Sequence, residues 1–200
     1  YQQGKIREAA DQLREVRERS IELNGHKRSA LTLIASDNLA LVLKKLGNFD
    51  EAEALYNETL ANFETTKGPD HKDTLLCRGN LAGLWMDQKR FAKAEAQYFL
   101  VAKGLEALGE GSPEYLTALD NAATALYYQQ NFAECERVKR NVLAGFEKHC
   151  GVGHPSTLCC CSYIGPCLEK QGKEAEAEAM YRRAFDGAMK HPGMGSSHPK

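Results

Sequence analysis

The punctuation of this sequence is periodic, and the period constrains the fold more than any other feature. Prolines at positions 69, 113, 155 and 199 stand 44, 42 and 44 residues apart, and glycines at 25, 68, 109, 151 and 195 stand 43, 41, 42 and 44 apart. The stretches between them recur too. Gly47-Asn48-Phe49-Asp50-Glu51-Ala52-Glu53-Ala54-Leu55-Tyr56 returns as Lys89-Arg90-Phe91-Ala92-Lys93-Ala94-Glu95-Ala96-Gln97-Tyr98, and again from Gln130 and from Gly172. Ala9, Ala52, Ala94, Cys135 and Ala177 thereby share one position in successive copies. A unit of about 42 residues buries too little alone, so its copies must stack.

Each period reads as two amphipathic helices separated by a Gly/Asn break. The spacing predicts nine helices, over 5–24, 29–46, 49–66, 71–88, 91–108, 113–129, 132–149, 155–170 and 173–189. On the first helix A, Leu31, Ile34, Leu39, Leu43 and Leu46 form the expected buried side. Asn48 with Glu51, and Asn131 with Glu134, have capping-box spacing. Gly68, Gly109 and Gly151 suit the left-handed turn that ends helix B, and Pro113 and Pro155 suit a first helical turn. The small recurring residue lets two helices approach closely. The expected fold is an all-α, right-handed superhelical solenoid of stacked antiparallel helix pairs, with helix A lining the concave side. The array spans 1–189: a partial repeat 1–25, then repeats 26–68, 69–110, 111–151 and 152–189. Residues 190–200 read as the flexible start of a truncated further repeat, and the chain as a piece of something longer.

Charge and composition narrow the function. Lysine plus arginine is 26 against 27 for aspartate plus glutamate, so a net charge of −1 supplies no field for a polyanion and disfavours nucleic acid. No apolar run approaches the ~20 residues of a bilayer span, so no membrane partner is expected. Seven cysteines, three of them consecutive at Cys159, Cys160 and Cys161, make a poor disulfide framework and suggest reduced thiols in a cytoplasmic protein.

The junction Gly151-Val152-Gly153-His154-Pro155-Ser156-Thr157-Leu158, the partial copy Asp70-His71-Lys72-Asp73-Thr74-Leu75, and the segments Asn38-Leu39-Ala40, Asn80-Leu81-Ala82 and Asn121-Ala122-Ala123 resemble the tetratricopeptide repeat. The likeness is to its 42-residue, kinesin-light-chain-like variety. The resemblance implies a noncatalytic protein-interaction module, a scaffold or adaptor, whose concave groove binds a short extended peptide of a partner. By position it makes Asn38, Asn80 and Asn121 a ladder that bonds to peptide amides, since asparagine offers both a donor and an acceptor. The alternative is that these asparagines bond between adjacent helices and set repeat stacking. Leu41 with Lys44, Gly83 with Met86, and Thr124 with Tyr127 lie one turn further along helix A. Lys44 matches a basic ligand-contacting position of the family. Met86 and Tyr127 depart from it, and Lys44 and Lys45 are mixed with Asp37, Asp87 and Asp120. Apolar or aromatic anchors therefore suit the groove's middle better than an acidic motif. In the fourth repeat Tyr163 replaces the asparagine, and Gly165-Pro166 predicts a kink where the ladder ends.

His149, Cys150, His154, Cys159 and Cys160 crowd one junction, but no Cys-x-x-Cys pair stands among them, and adjacent cysteines on a helix point about 100° apart. A Cys/His metal- or redox-responsive module is the weakest alternative, and no cofactor is expected. Nothing local pairs a thiol with an oriented histidine, so no catalysis is expected. A structural spacer or assembly surface remains the main rival, with self-association through exposed repeat ends.

Overall fold

The computed structural model describes residues 2–24, 29–107 and 112–190. The junctions around Gly25 and Gly109, and 191–200, read above as a further repeat's start, lie outside them. Nine α-helices make up the described residues: α1 Gln2–Asn24, α2 Ala30–Lys45, α3 Phe49–Lys67, α4 Lys72–Asp87, α5 Phe91–Glu106, α6 Pro113–Tyr128, α7 Phe132–Cys150, α8 Pro155–Glu169 and α9 Glu174–Lys190. The chain divides into two compact units, Tyr1–Gln97 and Tyr98–Lys200, with the division inside α5. In the first, α1 packs on α2, α2 on α3 and α3 on α4; in the second, α6 packs on α7, α7 on α8 and α8 on α9.

Local chemistry explains where the helices start. Ser29 and Ser112 accept from the amides of Thr32 and Tyr115 at 3.2 Å each, and His71 and His154 use Nδ1 to accept from Asp73 and Ser156 at 3.1 and 3.2 Å. These caps satisfy amides that the first turn would otherwise leave orphaned. Two junctions are built alike. Gly68 and Gly151 take φ of 95° and 90°, and their carbonyls accept from the hydroxyls of Thr74 and Thr157 at 2.7 and 2.8 Å. The His and Thr of the sequence motif are thus a cap and a clasp on one glycine-ended turn.

The capping boxes do not form. Asn48 and Asn131 occupy the N-cap positions of α3 and α7, but neither side chain makes a capping bond. Their ψ angles of 63° and 68° fall short of the extended geometry such a cap requires. Here the turn is closed by backbone: the Asn48 and Asn131 amides donate to the carbonyls of Leu43 and Leu126 at 3.0 Å.

The buried arc of α2 also differs from expectation. Leu39 and Leu43 are buried, but Leu31 and Ile34 are exposed, and Thr32, Leu33, Ala35, Ser36 and Ala40 complete the buried face. With α1, α3 and α4 all against α2, close approach favours small residues over a single leucine stripe. Ala52, Ala94, Cys135 and Ala177 are all buried, whereas Ala9 is half-buried and Ala10 takes the interior position. α8 runs unbroken through Gly165-Pro166, since proline removes one amide bond near the helix's end and Lys170 bonds back to the Pro166 carbonyl at 3.2 Å. Gly165 lies against α9: a Cβ there would meet the Tyr181 ring at 2.2 Å, so that ring would have to shift.

Candidate functional site

Repeat numbering places equivalent residues of the two units 83 positions apart, so Asp37, Tyr56 and Asn80 in the first correspond to Asp120, Lys139 and Tyr163 in the second. The same three helices, A and B of one repeat and A of the next, carry each set. What these positions do differs sharply between the units.

In the first unit the set is polar and closed upon itself. Asn80 Nδ2 donates to Asp37 Oδ2 at 3.0 Å, joining α4 to α2. Asp37 Oδ1 and the Tyr56 hydroxyl are buried with no hydrogen-bond partner. Burial pushes the Asp37 carboxyl above its ordinary value, offset in part by the Cys77 thiol and the Asn80 amide. Burial raises the Tyr56 phenol too, and the nearby Asp37 charge adds to this. Two turns on, Lys44 Nζ lies 3.1 Å from Asp87 Oδ2. That pair is partly exposed, and such pairs contribute at most about 1 kcal/mol. Leu41 and Met86 are half-buried, and Asn38 is exposed.

In the second unit the equivalent positions open into a concavity of ≈ 440 Å³ lined by Asp120, Thr124, Tyr127, Tyr128, Lys139, Tyr163 and Pro166. Lys139 organises it. Its stem is buried in α7, its Nζ bonds to Asp120 Oδ1 on α6 at 2.8 Å, and the same nitrogen sits 5.3 Å from the Tyr163 ring centroid on α8. A cation over an aromatic face is attracted by the ring quadrupole. Tyr127 meets Tyr128 edge-on at 5.8 Å and Phe132 at 5.4 Å, which holds its ring in place. Tyr128 and Tyr163 are each about half exposed, at 55% and 54%. The result is an open cup lined by three tyrosines, with one internally neutralised charge pair among its lining residues. It can take an apolar or aromatic side chain.

Of the groove positions expected from the sequence, Asp120, Thr124 and Tyr127 line the cup. Asn121 is half-buried on α6, and its side chain has no hydrogen-bond partner among the described residues. Lys139 is absent from that expectation, in which Tyr163 and Pro166 stand only for the end of the asparagine ladder. The signal for Lys139 was present: Tyr56, Tyr98 and Tyr181 end the other copies four residues after the small residue, and the third copy has lysine there. His149, Cys150, His154, Cys159 and Cys160 do not form a ligand set; among the described residues no three His, Cys, Asp or Glu side chains come together in that way.

The family model of the tetratricopeptide repeat matches residues 28–98 and 105–190. The fold is similar to the nearly identical TPR-like repeats ascribed to a kinesin light chain of Podosopora anserina, at TM-score 0.87 and 20% identity, covering 96% of this chain and 91% of that one. BtubC (BKLC) from P. vanneervenii is similar at TM-score 0.84 and 22% identity, covering 100% and 78%. PlcR of Bacillus thuringiensis, in complex with the peptide PapR7 and DNA, is similar at TM-score 0.65 and 15% identity, covering 94% and 68%. No curated protein matches the sequence.

Proposed function

The chain belongs to the tetratricopeptide-repeat family, and on that premise we propose that it is a noncatalytic, cytoplasmic adaptor that holds a short extended segment of a partner protein. The observation that carries this reading is the aromatic cup of the second unit. A concavity that exists before its ligand arrives binds an anchor side chain with less ordering cost than one that must first form. Asn121, with a free amide one turn before Thr124, supplies the donor and acceptor that an adjacent peptide bond needs. On the first unit Asn38, Leu41, Lys44, Asn80 and Met86 are the proposed contacts. Asn80 and Lys44 would have to exchange their bonds to Asp37 and Asp87 for bonds to the ligand. PlcR, of similar fold, was crystallised with a peptide, which supports the class of ligand.

A screen of the purified chain against an extended-peptide library tests the proposal. Aromatic or aliphatic anchors should be enriched. Truncating a central aromatic contact typically costs 2 kcal/mol or more, so Tyr163→Ala should weaken the selected peptides by about tenfold or more, and Asn121→Leu should weaken them less. Unchanged affinity in folded Tyr163→Ala protein would remove the cup from the site. The rival reading as a spacer or assembly surface draws on Phe185 and Met189, both 65% exposed on α9. It gains if folded, monomeric protein enriches no peptide.

A further inference from the structure

The third repeat departs from its fellows at a second buried place. Cys135 stands where the other copies have Ala52, Ala94 and Ala177, and Cys167 stands where successive helices A have Val42, Leu84 and Ala125. In the first unit the matching pair, Ala52 and Leu84, belongs to one continuous apolar core. In the second unit both members are cysteine. Their Sγ atoms lie 2.8 Å apart, both residues are fully buried, and both are free thiols. That separation is within about 0.8 Å of the ~2.05 Å disulfide bond. Of the other five cysteines, Cys150 and Cys159 are exposed, and Cys77, Cys160 and Cys161 are buried.

We infer that Cys135 and Cys167 form an oxidation site, a buried dithiol that a two-electron oxidant of the peroxide class converts into a disulfide tying α7 to α8. The two sulfurs share one hydrogen bond, in which either can be the donor. With Cys135 as the donor, that bond holds Cys167 below the ordinary thiol value and pushes Cys135 up, and the nearby Lys139 ammonium lowers both. Either thiolate can attack first. When Cys167 does, its thiolate attacks one peroxide oxygen, the O–O bond breaks, and hydroxide leaves, which gives a sulfenic acid. Cys135 Sγ then attacks that sulfur; the S–O bond breaks, and the oxygen departs as water with the Cys135 proton. Two thiols and one hydrogen peroxide become one disulfide and two waters. Because both sulfurs are buried, the rate is set by local opening of the α7–α8 contact.

The crosslink lies beside the aromatic cup, since Pro166 precedes Cys167 and Lys139 follows Cys135 by one helical turn. Oxidation would fix the cup's two walls to each other. The site itself, however, stands whether or not the cup binds a peptide.

The test treats the whole chain with hydrogen peroxide, then reads intact mass and a non-reducing peptide map. The expected result is loss of two hydrogens and a linked peptide pair containing Cys135 and Cys167, reversed by a dithiol reductant. Closing a loop of this length should raise the melting midpoint by roughly 5–10 °C. The Cys150→Ser/Cys159→Ser protein should retain the crosslink. Cys135→Ala, which restores the residue of the other repeats, should fold and lose it. Oxidation confined to Cys150 and Cys159, or a Cys167 carried to sulfinic acid with Cys135 still free, would overturn the inference.

Discussion

Glu136 shows how one side chain can tie two repeats together. It accepts from Arg140 of its own helix at 2.9 Å, and from Gln171 and Lys173 beyond α8 at 2.8 Å each. Burial alone would raise its carboxyl, but the bonds from Lys173, Gln171 and Arg140 outweigh that and hold it down at about 2, against an ordinary value of 4.5. Between those values the unfolded chain binds the extra proton, so the contribution is fully present above pH 4.5 and is lost as pH falls towards 2. Glu136→Gln should therefore cost about 1–3 kcal/mol at neutral pH, and the two proteins should converge in acid. Urea titrations at stepped pH would show a constant difference across that range if the argument is wrong. The partners Gln171 and Lys173 lie 35 and 37 residues away, and nothing local in the sequence announces them. The same is true of Asp120 and Lys139. Tyr127 was legible because a single helix face is a local property, but the cup needed α7 and α8 brought against α6.

At the scale of elements, the helices were legible almost to the residue, since their ends are set by glycine conformation, side-chain caps and proline, all of which act within four residues. The failed capping boxes at Asn48 and Asn131 mark the limit of that logic: spacing was right, but the backbone dihedrals were dictated by the turn. That turn demands a left-handed residue. Gly47 and Gly172 supply it at φ of 81° and 73°, whereas Lys89 and Gln130 are held at 60° and 64° with side chains attached. A left-handed conformation costs a residue with a Cβ roughly 1–2 kcal/mol, and glycine's extra chain entropy returns about half of that. Gln130→Gly should thus stabilise the second unit by about 0.5–1 kcal/mol, seen as a higher urea midpoint with an unchanged slope. A lower midpoint would mean that the Gln130 side chain contributes more than the strain it carries.

For the whole molecule, charge balance and exposed apolar surface act together. The isoelectric point of ≈ 6.7 leaves little repulsion between copies near neutral pH, and Phe185 and Met189 stand exposed on α9. Sedimentation should show concentration-dependent association near the isoelectric point, weaker at about pH 8.5 and weaker again in Phe185→Glu protein. Association indifferent to that substitution would place the contact elsewhere. The sequence by itself determined the repeat, the helix pairs and the junction turns, because periodic spacing and short-range backbone preferences are written within a few residues. Only the tertiary structure decided that Asn80 spends its amide on Asp37, that Lys139 crosses to Asp120 and Tyr163 to shape a cup, and that Cys135 faces Cys167. Those partners lie 43, 19, 24 and 32 residues apart, and residues so distant meet only when stacked helices bring their faces together.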